Sequence, residues 1–155
     1  MAVQKAQVSD IDALVDLRIR YLTEDHGRLE KQEAETIAEK LPEYFRIHLD
    51  KDMFCYIIRD GEEIVSCAFL LVADKPMSPA FPNGKTGTVL NVYTQPAHRH
   101  KGYAGLIMKE LISDARKMAL CTIELKATDA GYSLYRSAGF VDDVSKYHLM
   151  KLKIL

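Results

Sequence analysis

The chain has 155 residues, of which 48% are hydrophobic and 28% charged, and its formal net charge is -1. This composition fits one domain with a hydrophobic core, and the balanced charge excludes bulk electrostatic binding to nucleic acid or an anionic membrane surface. The three cysteines lack regular spacing, which argues against a disulfide framework or a zinc site. We therefore expect buried, reduced thiols and a cytoplasmic location. No signal segment or membrane span is visible, so no membrane association is expected.

The N-terminal half predicts a short strand and two helices. The strand covers residues 3–7, and Ser9 has the position of an N-cap. The apolar residues of the first helix share one face: Ile11, Leu14, Val15 and Leu22. A polar segment, residues 23–28, ends that helix. The second helix begins near Glu30, and we expect Pro42 to break or restart it because proline suits only a first helical turn.

The remaining residues predict a sheet with two further helices. The expected strands are Met53–Ile58, Ile64–Ala73, Thr88–Thr94, Cys121–Ala127 and Tyr147–Ile154. One helix follows Gly102, and a short one covers Gly131 to Ala138, ending at Gly139 as helices commonly do. This order of elements predicts a single α/β domain over residues 1–155, with a mixed, mostly antiparallel central sheet flanked by helices.

The segment from Leu90 to Ala104 carries the strongest functional signal. An apolar strand runs into Pro96, a short basic loop follows, and Gly102 opens an amphipathic helix. The start of a helix offers backbone N–H groups without helical partners and a partial positive charge. Arg99 and Lys101 add formal charge and hydrogen-bond donors. The loop therefore predicts a phosphate or pyrophosphate site.

A second motif follows the helix, and the two motifs together resemble the acetyl-CoA-binding core of the GNAT N-acetyltransferase superfamily. The phosphate-loop pattern of that family, Arg/Gln-x-x-Gly-x-Gly/Ala, matches at Arg99, Gly102 and Ala104. Its Leu-Tyr-x-x-x-Gly-Phe element matches at Leu134, Tyr135, Gly139 and Phe140. The resemblance covers Leu90 to Phe140 by motif and the N-terminal half by element order only.

The resemblance implies a GNAT-like acyl-CoA N-acyltransferase fold and acetyl-CoA as co-substrate, with no metal. The strand before the loop would pair with the pantetheine amides, and the loop N–H groups would hold the pyrophosphate. The implied cofactor-binding residues are Val92, Tyr93, Thr94, Arg99, His100, Lys101, Gly102, Tyr103, Ala104, Gly105 and Thr128. A backbone N–H near Val92 or Tyr93 would stabilise the oxyanion. Strand alternation leaves open which of these two side chains faces the core.

The implied catalytic acid is Tyr135, which would protonate the departing CoA thiolate after direct attack by an amine. A phenol with an ordinary pKa of ~10 is protonated at neutral pH. The alternative is a half-buried tyrosine that packs its helix onto the sheet. The general base stays open, because residues 88–94 contain no carboxylate. The proton of the attacking amine would be taken by His26, which lies in a polar run with Glu24 and Asp25, or by water.

The leading hypothesis is a cytoplasmic acetyl-CoA-dependent N-acetyltransferase that acts on a primary amine of a small molecule or peptide. A non-catalytic acyl-CoA-binding or sensor module is the alternative, and the missing strand carboxylate motivates it. A Rossmann-type dinucleotide site is disfavoured because the chain lacks its Gly-x-Gly-x-x-Gly turn. The long terminal strand would leave an edge to cover, so a homodimer is also considered. The identity of the acceptor cannot be read from the sequence.

Overall fold

A five-stranded sheet in the order β1-β2-β3-β4-β5 forms the centre of the computed structural model, which describes residues Met1 to Leu155. The strands are β1 (Gln4–Lys5), β2 (Met53–Asp60), β3 (Glu63–Asp74), β4 (Lys85–Thr94) and β5 (Thr122–Glu124). The first four pair antiparallel, and β5 runs parallel to β4. This sheet confirms the expected mixed, mostly antiparallel architecture.

Helices cover both faces of the sheet. They are α1 (Ile11–Asp25), α2 (Lys31–His48), α3 (Tyr103–Lys117) and α4 (Asp129–Ala138), with short 3-10 turns at Val8–Asp10 and Pro96–His98. On one face, α1 and α2 bury Leu14 and Phe45, and the Phe45 ring meets Phe69 of β3 edge-on at 5.7 Å between centroids. On the other face, α3 buries Ile107 and Leu111 against the sheet. None of the helices is long and apolar enough to cross a membrane.

Helix α2 does not break at Pro42, contrary to the sequence expectation. It continues from Lys31 to His48 with the proline inside it. Proline cannot donate the helical hydrogen bond at this position, which is unfavourable. One turn later, however, Phe45 is fully buried, and the neighbouring Leu41 and Tyr44 pack against the same core. Tertiary packing therefore outweighs the local preference. A smaller difference concerns α1, whose N-cap is Asp10 and not the expected Ser9.

The expected terminal strand Tyr147–Ile154 is wrong for this structure. No helix or strand follows Ala138, and Leu149 and Leu155 are 96% and 104% exposed. Alternating side chains predict a strand, but a strand forms only when its backbone groups find a partner. The neighbouring β5 is also shorter than expected, with three residues. A second correction concerns Cys121, which is exposed, whereas Cys55 and Cys67 are buried as expected.

Candidate active site

Strands β4 and β5 diverge, and this divergence opens the site. They pair only from Thr86 to Thr88, opposite Thr122 to Glu124. Strand β5 then ends, while β4 continues to Thr94 with β3 on its other side. The edge of β4 from Val89 to Thr94 therefore faces no strand on the β5 side. Backbone amides at such an edge can pair with an extended ligand as they would with another strand.

A β-bulge at Asn91 decides which way the β4 side chains point. The register of β3 and β4 shifts between Cys67 and Phe69, and Asn91 has a left-handed backbone with φ 54°. Because of the extra residue, Tyr93 joins the core under α1 and α2, whereas Val92 faces α3. The choice that alternation left open is thus decided: Tyr93 is the buried one, at 7% exposure.

The Asn91 side chain links this bulge to its surroundings. Its Oδ1 accepts from Nη1 of Arg18 at 3.3 Å, and its Nδ2 donates to Sγ of Cys67 at 3.6 Å. Burial raises the pKa of the Cys67 thiol to about 12, so this cysteine is a protonated structural group and not a nucleophile. The role of Asn91 was not predicted from the sequence. The available signal was an asparagine, which tolerates left-handed backbone, inside an apolar strand.

The loop before α3 is an array of unsatisfied backbone donors. His100 and Gly102 have left-handed φ values of 62° and 79°, and the first helical bond of the loop runs from Leu106 N–H to Gly102 O at 3.1 Å. None of the backbone N–H groups from His100 to Gly105 donates to a backbone acceptor in the protein. A Cβ on Gly102 would meet no protein atom within 4 Å, so this side of the loop is open. Such an arrangement suits an anion.

The Arg99 side chain is engaged by the end of β4 and by α1. Its Nε donates to Thr94 O at 2.9 Å, and Nη2 contacts Oε2 of Glu24 at 2.7 Å. The hydrogen bond with Glu24 is the main reason that the pKa of Arg99 is raised, and the guanidinium carbon lies 5.6 Å from the Tyr93 ring centroid. Arg99 therefore joins the end of β4 to α1. The exposed His100 and Lys101 remain on the loop itself.

Tyr135 lies half-buried on α4, close to the divergence. Its ring meets Phe140 edge-on, with 6.1 Å between centroids. Burial, and secondarily Tyr21, raises the pKa of the Tyr135 phenol. The group is therefore protonated at neutral pH and able to donate.

Gly131 lies against the Tyr135 ring, and Thr128 caps the helix that carries both; this role of Gly131 was not foreseen from the sequence. A Cβ on Gly131 would lie 2.9 Å from Cε2 and 3.4 Å from Cζ of Tyr135, so any other residue would force the ring to shift. Oγ1 of Thr128 accepts from Gly131 N–H at 3.2 Å and caps α4. This cap explains why the helix starts at Asp129, before the expected Gly131. The cofactor contact expected for Thr128 stays a prediction.

The side of the β4 edge that faces α1 and α2 is aromatic and carries Arg18. The Arg18 guanidinium carbon lies 5.9 Å from the Tyr21 ring centroid and forms no ion pair within 4.0 Å. Burial raises the pKa of Tyr21 and of Tyr44, while Arg18 lowers both. His26 is largely exposed, with Nε2 3.8 Å from Oδ2 of Asp25. The structure thus gathers Arg18 and the tyrosines beside β4 and leaves His26 at the surface.

The diverging β4 and β5, together with the donor array before α3, define the class: an acyltransferase of mixed α/β fold. The chain matches the profile of the Acetyltransferase (GNAT) family over residues 11–140. No curated protein matches the sequence significantly. Because the family match covers most of its length, the chain belongs to the GNAT acetyltransferase family and is an enzyme of that kind.

Solved structures share this fold over nearly the whole chain. A predicted acetyltransferase from Clostridium acetobutylicum, crystallised with acetyl-CoA, is 27% identical with a TM-score of 0.83, covering 96% of this chain and 94% of its own. A GCN5-related N-acetyltransferase from Ralstonia eutropha is 21% identical with a TM-score of 0.77, covering 96% and 97%. Glucosamine-6-phosphate N-acetyltransferase from Arabidopsis thaliana is 14% identical with a TM-score of 0.70, covering 96% of each chain.

Proposed function

We propose that this protein, as one domain over residues 1–155, transfers an acetyl group from acetyl-CoA to a primary amine of a small molecule or peptide. One observation carries the proposal: the unsatisfied N–H groups from His100 to Gly105 stand next to the strand-free edge of β4. A ligand with a pyrophosphate at one end and an amide-bearing extended arm fits both features. Acetyl-CoA has this form, and its thioester supplies an activated acetyl group.

The pyrophosphate is held by backbone donors more than by side-chain charge. The N–H groups of the loop have no backbone acceptor, the loop is open at Gly102, and the dipole of α3 adds positive potential there. Lys101 and His100 lie on the exposed rim of the loop, where they can reach the outer phosphate oxygens. Arg99 has a different part: through Thr94 and Glu24 it holds the end of β4 against α1.

The pantetheine arm pairs with the β4 edge at Val92, Tyr93 and Thr94. The bulge at Asn91 turns the backbone at this point, and we assign the N–H of Val92 or Tyr93 to the oxyanion. We also assign Thr128, the N-cap of α4, to the bound cofactor. We place the reacting carbonyl between the bulge and Tyr135.

The chemistry is a direct acyl transfer. The acceptor nitrogen attacks the acetyl carbonyl carbon, its electron pair forms the new C–N bond, and the C–S bond breaks when the oxyanion collapses. Tyr135 gives its phenolic proton to the departing sulfur. No carboxylate lies on β4, and Glu24 is engaged by Arg99, so we assign the proton lost by the nitrogen to water. The cation Arg18 near the acceptor side favours the neutral, nucleophilic form of the amine.

A release assay tests the proposal. The protein is incubated with acetyl-CoA and a panel of polyamines, amino acids, aminoglycosides and N-terminal peptides, while free thiol and acetylated product are measured. We expect thiol release that depends on both protein and acceptor. Tight acetyl-CoA binding with no turnover on any acceptor would favour the non-catalytic acyl-CoA-binding module, and an absence of binding would contradict both hypotheses.

We also propose a cytoplasmic location. The free thiol of Cys121 supports it, because an exposed unpaired thiol persists where the environment is reducing. Fractionation of the source cells tests this location, and recovery from an oxidising compartment would contradict it.

A further inference from the structure

Arg18 of α1 is half-buried beside the bulge of β4 and has no carboxylate partner. Its one hydrogen bond within the protein runs from Nη1 to Oδ1 of Asn91 at 3.3 Å, and Asn91 is a neutral side chain. It forms no ion pair within 4.0 Å. A guanidinium that loses part of its water and gains no counter-ion is unfavourable. An anion from outside the chain would therefore stabilise Arg18.

The carboxylates on the neighbouring turns of α1 are engaged by other cations. Glu24 binds Nη2 of Arg99 at 2.7 Å. Asp16, two residues before Arg18, pairs with Nε of Arg20 at 2.8 Å. Strand β4, which lies against this part of α1, contains no carboxylate at all. The chain itself thus leaves the charge of Arg18 without a counter-ion.

The hydrogen bond to Asn91 leaves one edge of the guanidinium free. Only Nη1 is used, whereas Nε and Nη2 donate to no acceptor of the protein. The N–H groups of Nε and Nη2 point in parallel, and their spacing matches the two oxygens of a carboxylate. Asn91 therefore fixes the guanidinium and leaves its carboxylate-binding edge available.

Two tyrosines on the same side of the sheet supply neutral donors. The guanidinium carbon of Arg18 lies 5.9 Å from the ring centroid of Tyr21, and both Tyr21 and Tyr44 are half-buried against the same core. Burial raises the pKa of both phenols, to which Asp25 adds for Tyr21 and Asp52 for Tyr44. The phenols are therefore protonated at neutral pH and add no negative charge that would compete for Arg18.

Asn91 also brings the free edge of Arg18 close to the reacting centre. It directly precedes Val92, and we assigned the oxyanion to the N–H of Val92 or Tyr93. Neighbouring Cα atoms are only about 3.8 Å apart. An acceptor that reaches both places at once is thus a small molecule whose anionic group and amine are a few bonds apart. A polyamine lacks such an anion, and Arg18 repels its additional positive charges.

We propose that the acceptor is a small amine of the amino-acid class and that Arg18 binds its carboxylate through Nε and Nη2. The bound carboxylate orients the amine toward the acetyl carbonyl carbon. This inference rests on the proposed acetyl transfer and narrows the class of its acceptor.

Acid and amide acceptors of matched shape test this assignment. Each free amino acid of a panel is compared with its carboxamide, which keeps the amine and the side chain but lacks the negative charge. We expect Arg18→Gln to lower kcat/KM by about tenfold or more for the acids and by less than about twofold for the amides. Comparing two proteins on the same acceptor cancels the different basicity of acid and amide amines.

Equal losses on acids and amides, or unchanged kcat/KM for the acids, would overturn the proposal. So would a wild type that acetylates only polyamines, aminoglycosides or phosphorylated amino sugars. Arg20→Gln is the matched control, because Arg20 is the exposed arginine of the same helix, and its kinetics should equal those of the wild type. Melting temperature verifies folding, and if Arg18→Gln does not fold, Arg18→Lys gives the same comparison because it lacks the paired donors.

Calorimetry separates failure of this inference from failure of acetyl transfer. Amino acids are titrated onto the protein saturated with CoA, so that binding is measured without turnover. Binding that Arg18→Gln removes, with no turnover of any acceptor, would support the carboxylate site and contradict acetyl transfer. Turnover of amino acids that does not depend on Arg18 would overturn the carboxylate site and leave acetyl transfer intact.

Discussion

Replacement of Gly131 by alanine tests whether the position of the Tyr135 ring affects kcat independently of the stability of α4. The new Cβ would lie 2.9 Å from Cε2 of Tyr135, closer than carbon atoms pack, so the ring must move by several tenths of an ångström. The backbone of Gly131 is not left-handed, and alanine favours a helix over glycine by roughly 0.5–1 kcal/mol. The gain in helix propensity and the cost of the new contact should nearly cancel, so we expect little change in the free energy of unfolding. We expect a loss of about tenfold in kcat, since small displacements of catalytic groups are costly.

The assay combines kcat, acetyl-CoA affinity by calorimetry and urea denaturation. Affinity should be retained because Gly131 does not lie in the phosphate loop. Ser133→Ala is the matched control: it also raises helix propensity in α4, its side chain is exposed, and its kcat should stay at the wild-type value. If Gly131 acts through the phenol, Gly131→Ala has no further effect on kcat in a Tyr135→Phe background. Additive losses in that double variant would refute this reasoning.

Four further predictions concern residues of the site. Tyr135→Phe should retain acetyl-CoA affinity and lower kcat by ~10²-fold or more, and an unchanged rate in the variant would remove the acid role. Because the pKa of Tyr135 is raised from 10.0, the wild-type kcat should not depend on this group at neutral pH and should fall only as the pH rises above 10. Gly102→Val should abolish acetyl-CoA binding in calorimetry, because the φ of Gly102 is 79° and a valine side chain would stand on the open face of the loop. Retained affinity would rule out the loop as the pyrophosphate site. Asn91→Ala should lower the unfolding free energy in urea by about 1–3 kcal/mol through lost buried hydrogen bonds and a strained bulge, and wild-type stability would contradict this. Glu24→Gln should change kcat by less than about tenfold, whereas a ~10²–10⁴-fold loss would make Glu24 the base in place of water.

The amino-acid sequence was sufficient for the features that depend on local chemistry. The loop ending at Gly102 and the helix after it could be predicted because a glycine start and a 3.6-residue apolar period are local signals. The family resemblance rested on this loop together with the element from Leu134 to Phe140, and it is confirmed. Pro42 shows the limit of local signals, since the burial of Phe45 one turn later kept the helix intact.

The orientation of the site depended on contacts between distant residues. Tyr93 and Val92 could not be assigned to opposite faces until the bulge at Asn91 was known, because one extra residue in a strand reverses the alternation. The engagement of Arg99 by Glu24 joins residues far apart in the chain. No sequence period encodes such a contact.

The same distinction explains the C-terminal segment, residues 147–155. Its alternation specifies a strand that could pair, and the sequence alone determined that much. Pairing itself is a tertiary or quaternary event, because strand hydrogen bonds require a second backbone at the correct distance. In the structure, the chain's own β5 does not supply this backbone. The outer edge of β5 has no strand partner, and the groove beside it, which Tyr135 lines, remains open.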